Sequence, residues 1–167
     1  MLSTRLLHLI EDHWQTISSS VIQEIRSDPA LRRIRALPET ELREIGRTIV
    51  RNLGHWLTAP KRDQEIIADQ YETIGRLRFS ESIPLHECVR ALQLVKGKTI
   101  GFACDQGFSE SSIDMYGANE LERRISAFFD YLIYHEVIGY ESALRKSAHL
   151  PTEDLESVPV RARVGAR

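Results

Sequence analysis

The chain is poor in most of the features that assign a protein to a class by composition. It has two cysteines among 167 residues, too few for a disulfide scaffold. It has no basic excess: 22 Lys and Arg against 24 Asp and Glu leave a formal charge of −2. That balance argues against a nucleic-acid-binding surface. No apolar run approaches the roughly 20 residues needed to cross a bilayer, and no N-terminal signal pattern is present, so no membrane partner is expected. No segment sustains a two-residue alternation, so no strand is expected. What remains is a chain with 42% hydrophobic residues, too apolar for disorder throughout. A chain of this length hides roughly 70% of its unfolded surface, which is enough for one real core.

Cys88 and Cys104 test each other. On one helix their sixteen-residue separation spans roughly 24 Å, whereas a disulfide needs Cα atoms within about 7 Å. Two unpaired thiols suit a reducing, cytoplasmic compartment. Glu87 precedes Cys88 and nothing basic adjoins Cys104, so neither thiol has the environment of a redox sensor, and both read as core cysteines.

Apolar residues recur at helical spacing between prolines and glycines. Leu6, Ile10, Trp14, Ile17, Val21 and Ile25 form one stripe, capped by Ser3 or Thr4 and ended at Asp28-Pro29. Asp28 is expected to cap a short second helix with Pro29 in its first turn. Pro38 opens a third helix, with Glu39 and Glu41 where negative charge suits the dipole. Its stripe is Leu42, Ile45, Ile49, Leu53, Trp56 and Leu57, and Pro60 stops it. A fourth helix, from about Arg62 to Phe79, carries Ile66, Ile67, Tyr71, Ile74 and Leu77 inward. Ser82, Pro84 and Leu85 start a fifth, with Leu85, Cys88, Val89, Leu92, Val95, Thr99, Phe102 and Ala103 on one broad face. Gly97 and Gly101 suggest a close backbone approach or a weak point, and Gly107 a stop. The last helix, from about Ser112 to Ser147, turns Leu121, Ile125, Phe128, Phe129, Leu132, Tyr140 and Leu144 inward, with Gly117 and Gly139 as kink points. The expectation is an all-α single domain of about six helices, globin-like or bundle-like, over residues 1–148. Residues 149–167, apolar-poor and running from Glu153, Asp154 and Glu156 to Arg161, Arg163 and Arg167, read as a flexible tail.

Catalytic and metal chemistry find little footing. His86-Glu87 and His135-Glu136 begin a zinc-protease pattern, but Arg90 and Gly139 stand where the second histidine belongs. The residues three before each histidine are Arg5, Ile10, Asn52, Ile83, Leu132 and Lys146, none the glutamate of a di-iron bundle. His8 and Asp12, one turn apart, make at most a half-site and read better as a solvated pair. There is no Gly-x-Ser-x-Gly elbow or phosphate loop, and Cys88 points about 200° around the helix from His86. No catalytic residue and no metal ligand is assigned, and the chain is expected not to be an enzyme. Haem is the one cofactor the residues allow, through His86 or His135 beside apolar or aromatic neighbours; otherwise no cofactor is expected. The last helix carries apolar residues on more than one face (Phe128, Phe129, Tyr131, Ile133, Tyr134), which points to a dimer or partner interface. That interface is placed on the first and last helices, at Leu6, Ile10, Trp14, Tyr131 and Tyr134.

The string Ile83-Pro84-Leu85-His86-Glu87-Cys88-Val89-Arg90-Ala91-Leu92-Gln93-Leu94 resembles a helix signature of the N-terminal domains of RsbR/RsbRD-type proteins. Arg78-Phe79 ahead of it, and Phe128-Phe129-Asp130 with Gly139-Tyr140-Glu141 behind it, resemble the same family over about residues 1 to 147. The resemblance implies a globin-like sensory or regulatory input domain of stress-response signal transduction, generally without haem. It also implies a homodimer that acts on a regulatory partner protein. Family output modules, such as STAS or helix-turn-helix domains, have no counterpart here, so the chain is expected to be a stand-alone input domain or a fragment.

Overall fold

The computed structural model describes residues 8–58, 62–107 and 112–148. Over these residues the chain is all-α, with six α-helical segments and no strand. The first segment covers 8–12 and turns at His13, whose Nδ1 lies 3.0 Å from the Leu9 carbonyl. Helix α1 (Trp14–Ser27) follows, burying Ile17, Ser18, Val21, Ile22 and Ile25. It stops at Asp28, which is extended, with its N–H donating to the Glu24 carbonyl.

The short helix expected from Asp28-Pro29 forms later and tighter. Asp28 Oδ1 accepts the Ala30 N–H at 2.9 Å, an Asx turn that replaces a cap. A 3-10 turn at Ile34–Ala36 follows. Its start is dictated from a distance: Glu87 Oε2 accepts the N–H groups of Arg33 and Ile34 at 2.8 and 3.0 Å. Those donors would otherwise be orphaned at a buried helix end.

Helix α2 (Glu39–Thr58) begins as expected, with the Pro38 carbonyl accepting from Glu41 and Leu42. Helix α3 (Arg62–Ser80) ends in a Schellman motif. The Ile83 N–H bonds the Arg78 carbonyl, the Ser82 N–H bonds the Phe79 carbonyl, and Ser82 takes the left-handed conformation at φ 58°. This turn buries Ile83 and leads into α4 (Leu85–Gly107). Helix α5 (Ser112–Ser147) closes the described chain.

The most extensive helix contact is between α3 and α5, followed by α4 with α5 and α1 with α4. Backbone touches backbone where α3 crosses α5. A Cβ on Gly75 would lie 2.7 Å from the Tyr140 nitrogen, and one on Gly139 would lie 2.6 Å from the Glu72 Cα. Gly139 is therefore a crossing point rather than a kink. Among the described residues nothing stands within 4 Å of a Cβ on Gly97 or Gly101, which leaves the weak point, of the two roles expected there, rather than a close approach.

Phe128, Phe129, Ile125 and Leu132 of α5 are fully buried with Leu53 and Ile49 of α2. The rings of Phe128 and Phe129 meet edge-on at 5.2 Å. Three expected inward residues face out instead: Ile66, Leu77 and Leu144 are 66%, 50% and 46% exposed. Ile67 takes the core position on α3, and one residue of helix turns its neighbour about 100° away. Cys88 is buried, but Cys104 is only half-buried, and both are free thiols. The expected boundary at 148/149 falls at the edge of the described residues, and the expected tail lies outside them.

Candidate functional site

Five helices line a pocket of about 340 Å³ that is partly open to solvent. Val21, Ile22 and Ile25 of α1 form one wall, Leu42, Ile45 and Ile49 of α2 a second, and Ala91, Leu92 and Val95 of α4 a third. The stripes that make these walls are the ones that made the elements helical, so the cavity is lined by residues selected for burial. Trp14 closes one part of it. Its indole packs over Gly46, where a Cβ would lie 2.6 Å from a ring carbon, so a bare glycine makes room for it.

Ile74 and Leu77 of α3 add to the apolar lining, and polar groups reach it from α3, α4 and α5. Tyr71, Arg78, Cys88 and Glu136 are all at least nine-tenths buried and all face the cavity. Arg78 Nη1 lies 2.8 Å from Glu81 Oε2 and 3.6 Å from Glu41 Oε1. Its charge is thus shared with two carboxylates beside Glu136. Burial raises the Glu136 carboxyl to about 7, offset in part by the Arg78 charge and a hydrogen bond from the Cys88 thiol. Burial, with Glu136 beside it, pushes Cys88 up to about 12. Cys88 is therefore a protonated donor at neutral pH and no nucleophile. Tyr71 is raised by burial and by Glu136. Asn52, on α2, donates to Gln70 Oε1 at 2.9 Å and hydrogen-bonds Tyr71.

The residues singled out from the sequence are dispersed around this site. His86 is exposed at the start of α4. His135 Nδ1 lies 3.0 Å from Glu72 Oε1, between the rings of Tyr131 at 4.4 Å and Tyr134 at 5.1 Å. Neither histidine is on the cavity wall. Of the expected interface residues, Ile10 is 0% exposed and belongs to this chain's own core; it is unavailable to a second subunit. Trp14 lines the cavity, and Tyr131 is half-buried with its hydroxyl donating to the Gln64 carbonyl at 3.1 Å. Tyr134 is 63% exposed, and Leu6 lies outside the described residues.

Sequence reasoning passed over Arg78 and Glu136 as site residues, yet both carried a signal. Arg78 follows Tyr71 and Ile74 at helical spacing, and Glu136 stands four residues after Leu132. A charge on an apolar stripe is a charge destined for burial.

Among the described residues no group of three or more His, Cys, Asp or Glu side chains is placed to hold a metal ion. No described helix is long and apolar enough to cross a membrane. No family model, curated protein or solved structure matches the chain. Fold and site together define an all-α domain with a partly open apolar pocket that carries buried charged groups.

Proposed function

We propose that this chain is a sensory or regulatory input domain, of the kind the N-terminal domains of RsbR/RsbRD-type proteins represent, and that its signal is a small molecule held in the cavity. The cavity is the observation that carries this reading. The domain keeps a largely apolar pocket of about 340 Å³, partly open to solvent, among its helices. An apolar pocket with a few convergent polar groups is the usual form of a ligand site. Occupancy would shift the packing of α1 and α2 against α3 and α4, and a ligand that prefers one packing moves the equilibrium between them.

Output through a homodimer and a regulatory partner protein belongs to the same proposal. The large exposed apolar side chains among the described residues, Ile66, Leu77, Tyr134 and Leu144, all lie on α3 and α5. That is the surface on which a second copy would sit. Free thiols at Cys88 and Cys104 fit a reducing, cytoplasmic setting.

The test is titration with the neutral fluorescent probe N-phenyl-1-naphthylamine, on protein whose mass is followed by light scattering. Saturable binding of one probe per chain, with a concentration-dependent dimer that Ile66→Glu dissociates, is expected. A protein that takes up no probe loses the ligand-sensing reading. A monomer at every concentration loses the dimer.

A further inference from the structure

The cavity's charges are lopsided. Among the described residues it is lined by three carboxylates, Glu41, Glu44 and Glu136, and by one guanidinium, Arg78; Glu44, at the rim, pairs with Arg47 Nη1 at 3.4 Å. That guanidinium is already engaged, with Glu81 Oε2 at 2.8 Å and Glu41 Oε1 at 3.6 Å, both nearer the surface. Glu136 is 6% exposed and stands on the wall of an apolar chamber. The groups facing it are Tyr71 and Arg78 from α3 and Cys88 from α4; α2 presents Glu41 and Glu44, and the α1 lining residues carry no charge. An anion entering this chamber meets carboxylates and a cation already paired. A cation meets a buried carboxylate whose neighbours are a thiol donor and a guanidinium already shared with Glu81 and Glu41.

Resting on the reading that this cavity binds a small molecule, we infer that its occupant is a cationic amphiphile, an ammonium group on an apolar body, whose nitrogen sits against Glu136. The apolar body occupies the Val21, Leu42 and Leu92 walls. A cation beside a carboxyl favours its ionised form. Near neutral pH the Glu136 proton is only partly bound. Binding therefore releases a proton from the Glu136 oxygen to the buffer, and affinity rises with pH between about 6 and 8.

Three probes with the same tail separate the head-group chemistries: octylammonium, 1-octanol and octanoate. Each is titrated calorimetrically into the full chain at pH 7, in two buffers of different ionisation enthalpy. Octylammonium is expected to bind one per chain, about tenfold or more tighter than octanoate, and to release up to about half a proton. In Glu136→Gln the octylammonium advantage and the proton release both vanish while octanol binding persists, which also shows that the variant is folded. Octanoate binding as tightly as octylammonium, or proton uptake in place of release, overturns the cationic assignment and leaves the cavity a ligand site. If none of the three binds, the ligand-site reading fails and the inference fails with it.

Discussion

Glu136 shows what one residue contributes when its surroundings change its chemistry. Its carboxyl is raised from 4.5 to about 7 in the folded chain. Between those values the folded state holds a proton that the unfolded state has released. Stability is therefore full below about pH 4.5, falls as pH rises, and has lost this contribution above about pH 7. The shift corresponds to roughly 3 kcal/mol. Replacing Glu136 with Gln removes the titration, so the difference in stability between the two proteins should grow in the variant's favour from pH 5 to pH 8. Urea unfolding at several pH values measures it, and a pH-independent difference would show that the carboxyl does not titrate there. Glu136 was legible in the sequence as an anomaly on an apolar stripe. That Arg78 and Cys88 face it was not, because they lie about 58 and 48 positions earlier in the chain and only folding brings the three together.

At the scale of elements, sequence spacing located the helices well because capping, proline and periodicity are local physics. Helix α2 begins after Pro38, α4 after Pro84, and α5 covers the Ser112–Ser147 span that its pattern predicts. Glycine was the exception, since a glycine's purpose depends on what lies opposite it. Gly75 and Gly139 sit at the α3–α5 crossing, where a methyl group meets backbone that cannot rotate away. Gly75→Ala or Gly139→Ala should each cost about 3 kcal/mol or more of unfolding free energy. Gly97→Ala and Gly101→Ala, with open space at both positions, should each stabilise α4 by about 0.5–1 kcal/mol. Thermal or denaturant unfolding of the four variants gives opposite signs if this division is right. The 3-10 turn at Ile34–Ala36 makes the same point, because its register depends on a carboxylate from α4.

At the scale of the whole molecule, the cavity is a property of the arrangement and of no single element. Each wall helix is amphipathic in the ordinary way, and any of these stripes could have closed against its neighbours without a gap. Filling the space is the sharpest check. Ala91 lines the cavity from α4, so Ala91→Leu should raise stability by about 1 kcal/mol, the buried methylenes gaining contacts that the cavity now lacks. The same substitution should weaken binding of the neutral probe several-fold. A leucine that destabilises the fold while binding is unchanged would place the free volume elsewhere.

Helical period, caps and burial preference are encoded over a few neighbouring residues, so the all-α fold, the course of the main helices and the stripes that form the core are legible along the chain. That Ile66, Leu77 and Leu144 face outward and that Ile10 belongs to the core emerges from the packing of one helix on another. The same packing decides that α3 and α5 touch at two glycines, and that Tyr71, Arg78, Cys88 and Glu136 share one chamber. Those outcomes depend on which helix faces which, and that choice is made by the sum of contacts across the whole chain.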